Sequence, residues 1–178
     1  MWQLLIPNID ITTLSKSLRR DLRSDHAGET GAVMIYNGIL AVSRDTALRS
    51  FASTHLKTEQ KHLALFDSWL PKEDKSRLLL LWSVSGYLLG AFAALISKRL
   101  TYYTIEIVEQ FVVEHYESQI LTAPRDLREI LLNLQAEEKE HQLEAITLQD
   151  DNQSKVRKLW GLIVGAGSRL AVNLARLI

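Results

Sequence analysis

Apolar residues recur at helical spacing through most of the chain, and no stretch shows a clear strand-like alternation. Leu14, Leu18, Leu22, Ala32, Val33, Tyr36, Ile39 and Leu40 mark one long amphipathic helix over about 12–43, with Glu29 on its apolar side. Ser43-Arg-Asp45 reads as a turn in which Asp45 caps a second helix, and that helix stops before Pro71. Its inward stripe is Leu48, Phe51, Ala52, His55, Glu59, His62, Phe66 and Trp69. Residues 78–97 carry no charge at all. A third amphipathic helix covers about 98–121, with Tyr102, Ile105, Glu109, Val112, Val113, Tyr116 and Ile120 on one side. Pro124 suits the opening turn of a fourth, striped by Leu127, Ile130, Leu131, Leu134, Glu138, His141, Ala145 and Leu148 and ended by the polar run Asp150-Asp-Asn-Gln-Ser154. Residues 156–178 interleave Leu159, Trp160, Ile163, Leu170, Leu174 and Ile178 with basic side chains. The pattern predicts an all-α chain forming a single domain over 1–178. Its four-helix core lies at about 12–69 and 98–149, and its membrane-facing segments at 78–97 and 156–178.

A glutamate on an apolar stripe is costly unless it is paired or coordinated. Four of the predicted helices each carry one. Glu59 and His62 are three residues apart, so they share a helix face, and the pair returns 79 positions later as Glu138 and His141. Glu29 precedes Glu59 by 30 residues and Glu109 precedes Glu138 by 29. Both intervals centre on a predicted turn, so within each hairpin the two glutamates sit at the same height. Two hairpins brought together place Glu29, Glu59, His62, Glu109, Glu138 and His141 in one layer of a bundle. A Glu from each of two helices with a Glu-x-x-His from each of the others is the known pattern of ferritin-like dimetal carboxylate proteins. Mostly hard oxygen with two nitrogens favours iron or manganese over structural zinc. Asp25, His26, His55, Glu106 and Tyr116 lie near these positions and are candidates to support the ligands, although each also reads as a cap, solvated or core residue. Glu137, Glu140 and Glu144 read as mostly solvated, with Glu137 or Glu144 able to turn toward the site.

The chain has 178 residues and no cysteine, which excludes disulfides, iron–sulfur clusters, thiolate zinc and a cysteine nucleophile. Its formal net charge is zero, so nothing in the overall balance favours nucleic acid. Met1–Pro7 lacks a basic region and a long apolar run, which argues against a secretory signal. The uncharged stretch 78–97 is long enough to cross a bilayer. A crossing would put Glu29, Glu59 and His62 on one side and Glu109, Glu138 and His141 on the other, about 30 Å away. A shared metal site therefore requires the stretch to pack on the bundle or lie in the membrane interface, with Trp82 and Tyr87 as anchors and the basic 156–178 segment near anionic headgroups.

The residues resemble the demethoxyubiquinone hydroxylase family, the di-iron enzymes of ubiquinone biosynthesis. Asp25-His-Ala-Gly-Glu29 with Gly31-Ala, Ile35-Tyr36 and Gly38 resembles the family's opening motif, and Glu59-Gln-Lys-His-Leu63 its second. Leu81-Trp82, Gly86, Leu89-Gly-Ala91 and Ala94-Leu95 resemble its apolar crossover, Val108-Glu109 with His115-Tyr116 and Gln119-Ile120 its third motif, and Glu137-Glu138 with Glu140-His141 its fourth. Thr30, Gln110 and Glu114 depart from the usual residues, leaving all six ligands in place. The resemblance implies a ferritin-like bundle on a membrane surface, on the cytoplasmic face of the inner membrane if bacterial. It implies two iron ions per chain, with Glu29 and Glu109 terminal, Glu59 and Glu138 bridging, and one histidine on each ion. Dioxygen would hydroxylate the ring of a membrane-dissolved polyprenyl demethoxyubiquinone, with electrons ultimately from NADH and companion proteins of the pathway as possible partners. A ferritin-like metal-storage or peroxide-scavenging protein and a metal-free lipid-binding bundle are the alternatives.

Overall fold

The computed structural model describes residues 9–149 and 154–178, so the readings of Met1–Pro7 and of Asp150–Gln153 lie outside the described residues. Six helices follow in order: α1 (Lys16–Val42), α2 (Thr46–Trp69), α3 (Leu79–Ile96), α4 (Lys98–Ile120), α5 (Arg125–Thr147) and α6 (Lys155–Leu177), with no strand among the described residues. The all-α expectation holds, and most boundaries fall within a residue or two of the periodicity. The start of α1 differs. The expected beginning near residue 12 is a separate 3-10 turn, Ile11–Thr13, capped by Asp10, and the chain is extended at Leu14 before Ser15 caps α1 by accepting from the Leu18 amide at 3.2 Å. Two caps within five residues leave no continuous helix there.

Asp45 caps α2 as expected, accepting from the Leu48 amide at 2.9 Å. Ser97 both ends α3 and caps α4, and its extended backbone makes the sharp corner between them. α1 and α2 form one antiparallel hairpin and α4 and α5 the other; α3 lies along α1, and α6 rests across α1 and α4. The uncharged helix thus packs on the bundle and leaves the two hairpins side by side. The core forms two clusters. One gathers Leu18, Leu22, Leu65, Phe66, Trp69, Leu127, Leu131 and Leu134. The other gathers Ile35, Tyr36, Ile39, Leu48, Phe51, Tyr102, Ile105 and Ala145. Between them along the helices run Glu29, Glu59, Glu109 and Glu138, so a charged layer divides the hydrophobic interior.

α3 approaches α1 at backbone distance. A Cβ at Gly86 would run into the Gly31 carbonyl, and one at Gly90 into the Ile35 carbonyl. Four residues separate these glycines, so both face α1 and act as the small residues that let helices touch closely. The opposite face of α3 presents Leu81, Val84, Leu88, Phe92 and Leu95 to solvent, and α6 exposes Leu159, Leu162, Ile163 and Leu170. α3 and α6 meet only locally, as where Phe92 lies 5.4 Å from Trp160 between ring centroids. Gly90→Ala is expected to cost about 1–3 kcal/mol, because carbonyl backbone cannot yield as a side chain does. Gly28→Ala, whose Cβ meets nothing within 4 Å, is expected to gain up to about 1 kcal/mol. Urea unfolding of both variants checks the contrast.

Candidate metal centre

Each helix of the two hairpins contributes one carboxylate to the central layer, and α2 and α5 add His62 and His141 one turn further on. All six residues are at most 4 % exposed. Two overlapping groups result. Glu29, Glu59, His62 and Glu138 have donor atoms within 4.8 Å of one another, and so do Glu59, Glu109, Glu138 and His141. Glu59 and Glu138 belong to both. His62 Nδ1 lies 2.8 Å from Glu138 Oε1, and His141 Nδ1 lies 3.0 Å from Glu59 Oε1 and 3.3 Å from Glu138 Oε2.

These short approaches lack hydrogen-bond geometry. Glu59 Oε1, both oxygens of Glu138 and the Nδ1 atoms of His62 and His141 are buried with no hydrogen-bond partner. Groups that costly to leave unpaired, all converging on shared space, fit cations. The proton balance says the same. Burial, then the neighbouring carboxylates Glu138 and Glu59, push Glu29 and Glu109 well above the ordinary carboxyl range. Burial opposes charge on both imidazoles, yet Glu137 and Glu138 drive His62 up to about 12, and Glu138 and Glu59 drive His141 up to about 11. Against its own burial, Glu138 is held at about 2 by His141 and His62. Protons thus balance part of the carboxylate charge, and divalent cations would displace them on binding.

Around the layer the expected supporting residues divide. Tyr116 donates to Glu29 Oε1 at 2.6 Å. His55 meets the edge of His141, with ring centroids 4.1 Å apart, and its Nε2 lies 2.9 Å from half-exposed Glu144. Asp25 accepts from Gln119 at 2.8 Å and faces His115 Nε2 at 3.0 Å. His26 pairs with Asp67 at 2.9 Å, and Glu106 accepts from Gln149 at 2.8 Å, both away from the layer. Glu137, which reads as mostly solvated but able to turn toward the site, lies 2.7 Å from His62 Nε2, which leaves the Nδ1 side of that ring for a metal. One supporting residue is absent in that role from the sequence reading. Tyr36 donates to Glu109 Oε1 at 2.9 Å. It stands seven positions after Glu29, as Tyr116 stands seven after Glu109, and that repeated interval was the available signal.

One side of the layer opens into a cavity of about 400 Å³ bounded by α1, α3, α4 and α6. Leu89, Val108, Val112, Ile163, Val164 and Val172 make its wall largely apolar, and Glu29, Glu59, Glu109, Glu138 and Tyr116 also border it. Its polar lining includes Ser85, Ser168 and a cluster of Ser24, Asp25 and His115, in which Ser24 Oγ and His115 Nε2 are 3.2 Å apart.

The model of the family described as ubiquinone biosynthesis protein COQ7 matches residues 16–175. The human NADPH-dependent 3-demethoxyubiquinone 3-hydroxylase, mitochondrial, is 30% identical over 164 residues, which cover 88% of this chain and 76% of that protein. A protein of the same name from Dictyostelium discoideum is 28% identical over 166 residues, 89% of this chain and 76% of its own. The 3-demethoxyubiquinol 3-hydroxylase of Rhodospirillum rubrum is 39% identical over a shorter match of 103 residues, 56% of this chain and 49% of its own.

His55 offers a pH test of the buried layer. Burial first, then charge on His141, lowers it to about 3. The unfolded chain therefore takes up this proton near pH 6.5 and the folded chain only near 3, so the residue removes stability as pH falls through that window. In metal-free protein, the stability advantage of wild type over His55→Gln is expected to shrink by roughly 2–3 kcal/mol between pH 7 and 4, measured by urea unfolding.

Proposed function

The chain belongs to the COQ7 family of ubiquinone biosynthesis proteins, and from that premise we propose that it is a di-iron, dioxygen-dependent hydroxylase of the quinone ring of a polyprenyl demethoxyubiquinone. The observation that carries the reading is the position of the carboxylate–histidine layer, which forms the floor of an apolar cavity large enough for a substituted ring. The whole chain acts as one ferritin-like unit. Glu29, Glu59, His62 and Glu138 would hold one iron and Glu109, Glu59, Glu138 and His141 the other, with Glu59 and Glu138 shared. When bound, the irons supply reduction of dioxygen by two electrons, so that one oxygen atom enters the ring and the other leaves as water with two protons. The mitochondrial relatives' names specify NADPH and that of the Rhodospirillum rubrum relative specifies no nucleotide, so a reduced nicotinamide nucleotide, NADPH or NADH, is taken as the electron source.

The protein's own part is enclosure, orientation and proton handling. Apolar side chains of α1, α3, α4 and α6 keep bulk water from the floor of the cavity, which protects an oxidising centre from side reactions. His115 is held by Asp25 and Ser24 and stacks on Phe111 with planes 8° apart, so its imidazole is fixed in the wall beside the substrate. There it can exchange a proton with a ring oxygen. The polyprenyl tail is too long for the cavity and leaves between α3 and α6, whose outward faces are apolar. Those faces rest on the membrane that holds the quinone, the cytoplasmic face of the inner membrane in a bacterium. Companion proteins of the pathway would approach the same assembly. A storage role leaves the apolar cavity without a use, and a metal-free lipid-binding bundle leaves buried donor atoms of Glu59, Glu138, His62 and His141 without hydrogen-bond partners.

Purified protein is expected to bind about two irons per chain and to restore ubiquinone in a bacterium that accumulates the demethoxy precursor. Glu59→Ala, which removes a ligand common to both ions, should abolish iron retention and conversion together; an active Glu59→Ala enzyme sinks the reading. Leu88→Glu on the outer face of α3 should leave iron content unchanged and sharply reduce co-sedimentation with lipid vesicles.

A further inference from the structure

The two buried phenols cross the bundle reciprocally. Tyr36 of α1 donates to Glu109 of α4, and Tyr116 of α4 donates to Glu29 of α1. Each tyrosine stands two turns beyond the glutamate of its own helix, on the same face, so each helix supplies one carboxylate and the brace for the other. Both hydroxyls donate to these carboxylates over hydrogen-bond distances of 2.9 and 2.6 Å. Their surroundings differ. Tyr116 borders the cavity with Glu29. Tyr36 does not; its ring stacks on His55 at 5.8 Å and lies 6.3 Å from Phe51, in the apolar cluster behind the layer.

We infer that Tyr36 is a positioning residue for Glu109, holding its Oε1 so that the other oxygen is left for the metal, and that it does this from outside the substrate cavity. The inference rests on the di-iron reading of the site. It assigns to Tyr36 an influence on one of the two ions that is separate from substrate binding. Tyr116, which borders the cavity beside Glu29, is in reach of the substrate as well as of that ligand.

The test compares Tyr36→Phe with Tyr116→Phe in the full chain, loaded with ferrous iron without oxygen and followed by Mössbauer spectroscopy, iron release to a chelator, and steady-state kinetics. Tyr36→Phe is expected to bind two irons at saturation, to displace the signal of one iron alone, and to lose iron about tenfold faster. Its kcat should fall with KM for the quinone unchanged. Tyr116→Phe should displace the other signal and raise KM. An unaltered spectrum and release rate in Tyr36→Phe, or equal displacement of both signals, overturns the inference. Wild-type protein that fails to bind two irons overturns the di-iron reading itself, so the two failures are distinguishable. Should Tyr36→Phe not fold, wild type labelled with 3-fluorotyrosine serves instead. Ferrous loading must then shift two of the five tyrosine resonances far more than the rest, and shifts of similar size at all five overturn the inference.

Discussion

Four carboxylates buried at one level of a helical bundle are the constraint that the rest of this structure accommodates. Burying even one ionised carboxylate without a partner is prohibitive, and here the side chains of Glu29, Glu59, Glu109 and Glu138 converge. The arrangement survives because it is balanced from several directions: two imidazoles among the carboxylates, two phenols outside them, and Glu137 against the far side of His62. The apolar clusters above and below must hold four helices in register for those contacts to exist. Stability and function pull in opposite directions here, since the layer interrupts the core that keeps the hairpins together.

The apolar crossover resolves a topological problem raised by that layer. Both hairpins carry their layer carboxylates at the same height, yet the helix between them, α3, is uncharged and long enough to span a bilayer. The chain folds the link back along α1 through Gly86 and Gly90, where backbone meets backbone, and turns into α4 over a single residue, Ser97. Because the glycine face is committed to α1, the leucines and Phe92 of the other face point outward. α6 does the same beside it, with Gly161, Val164 and Gly165 turned inward and Leu159, Leu162 and Leu170 outward. Close packing on one side and apolar exposure on the other are therefore two consequences of one pattern, and the cavity lies where these helices meet α1 and α4.

The layer was legible in the sequence because helix spacing is rigid. Glu-x-x-His fixes a face, and equal intervals about two turns fix a height, so six positions follow from arithmetic on 3.6 residues per turn. The helices themselves were legible for the same reason, down to the cap at Asp45. What was not legible depends on contacts between helices whose mutual rotation the sequence does not state. Glu137 looks solvated on its own helix and meets His62 only because α2 lies beside it. His26 and Glu106 lie close to Glu29 and Glu109 along the chain but pair with Asp67 and Gln149. The cavity could not be read either, since it is lined by residues from all six helices, many of them distant in sequence. The break at Leu14–Ser15 was hidden because Leu14 keeps the helical spacing while Asp10 and Ser15 compete as caps.

The duplication is close in spacing and broken in chemistry, and the break makes the two halves unequal. Glu137 immediately precedes Glu138 and supports His62; the equivalent position before Glu59 is Thr58, which carries no charge. His141 instead meets the ring of His55, which burial keeps neutral. One histidine is thus backed by a carboxylate that raises its basicity, and the other by an uncharged ring. The same inequality runs through the phenols, since Tyr116 borders the cavity and Tyr36 is sealed behind the layer. Two metal ions held in such a frame would differ in ligand basicity and in access to the cavity. A repeated pair of carboxylate–histidine groups has become a layer with a front and a back.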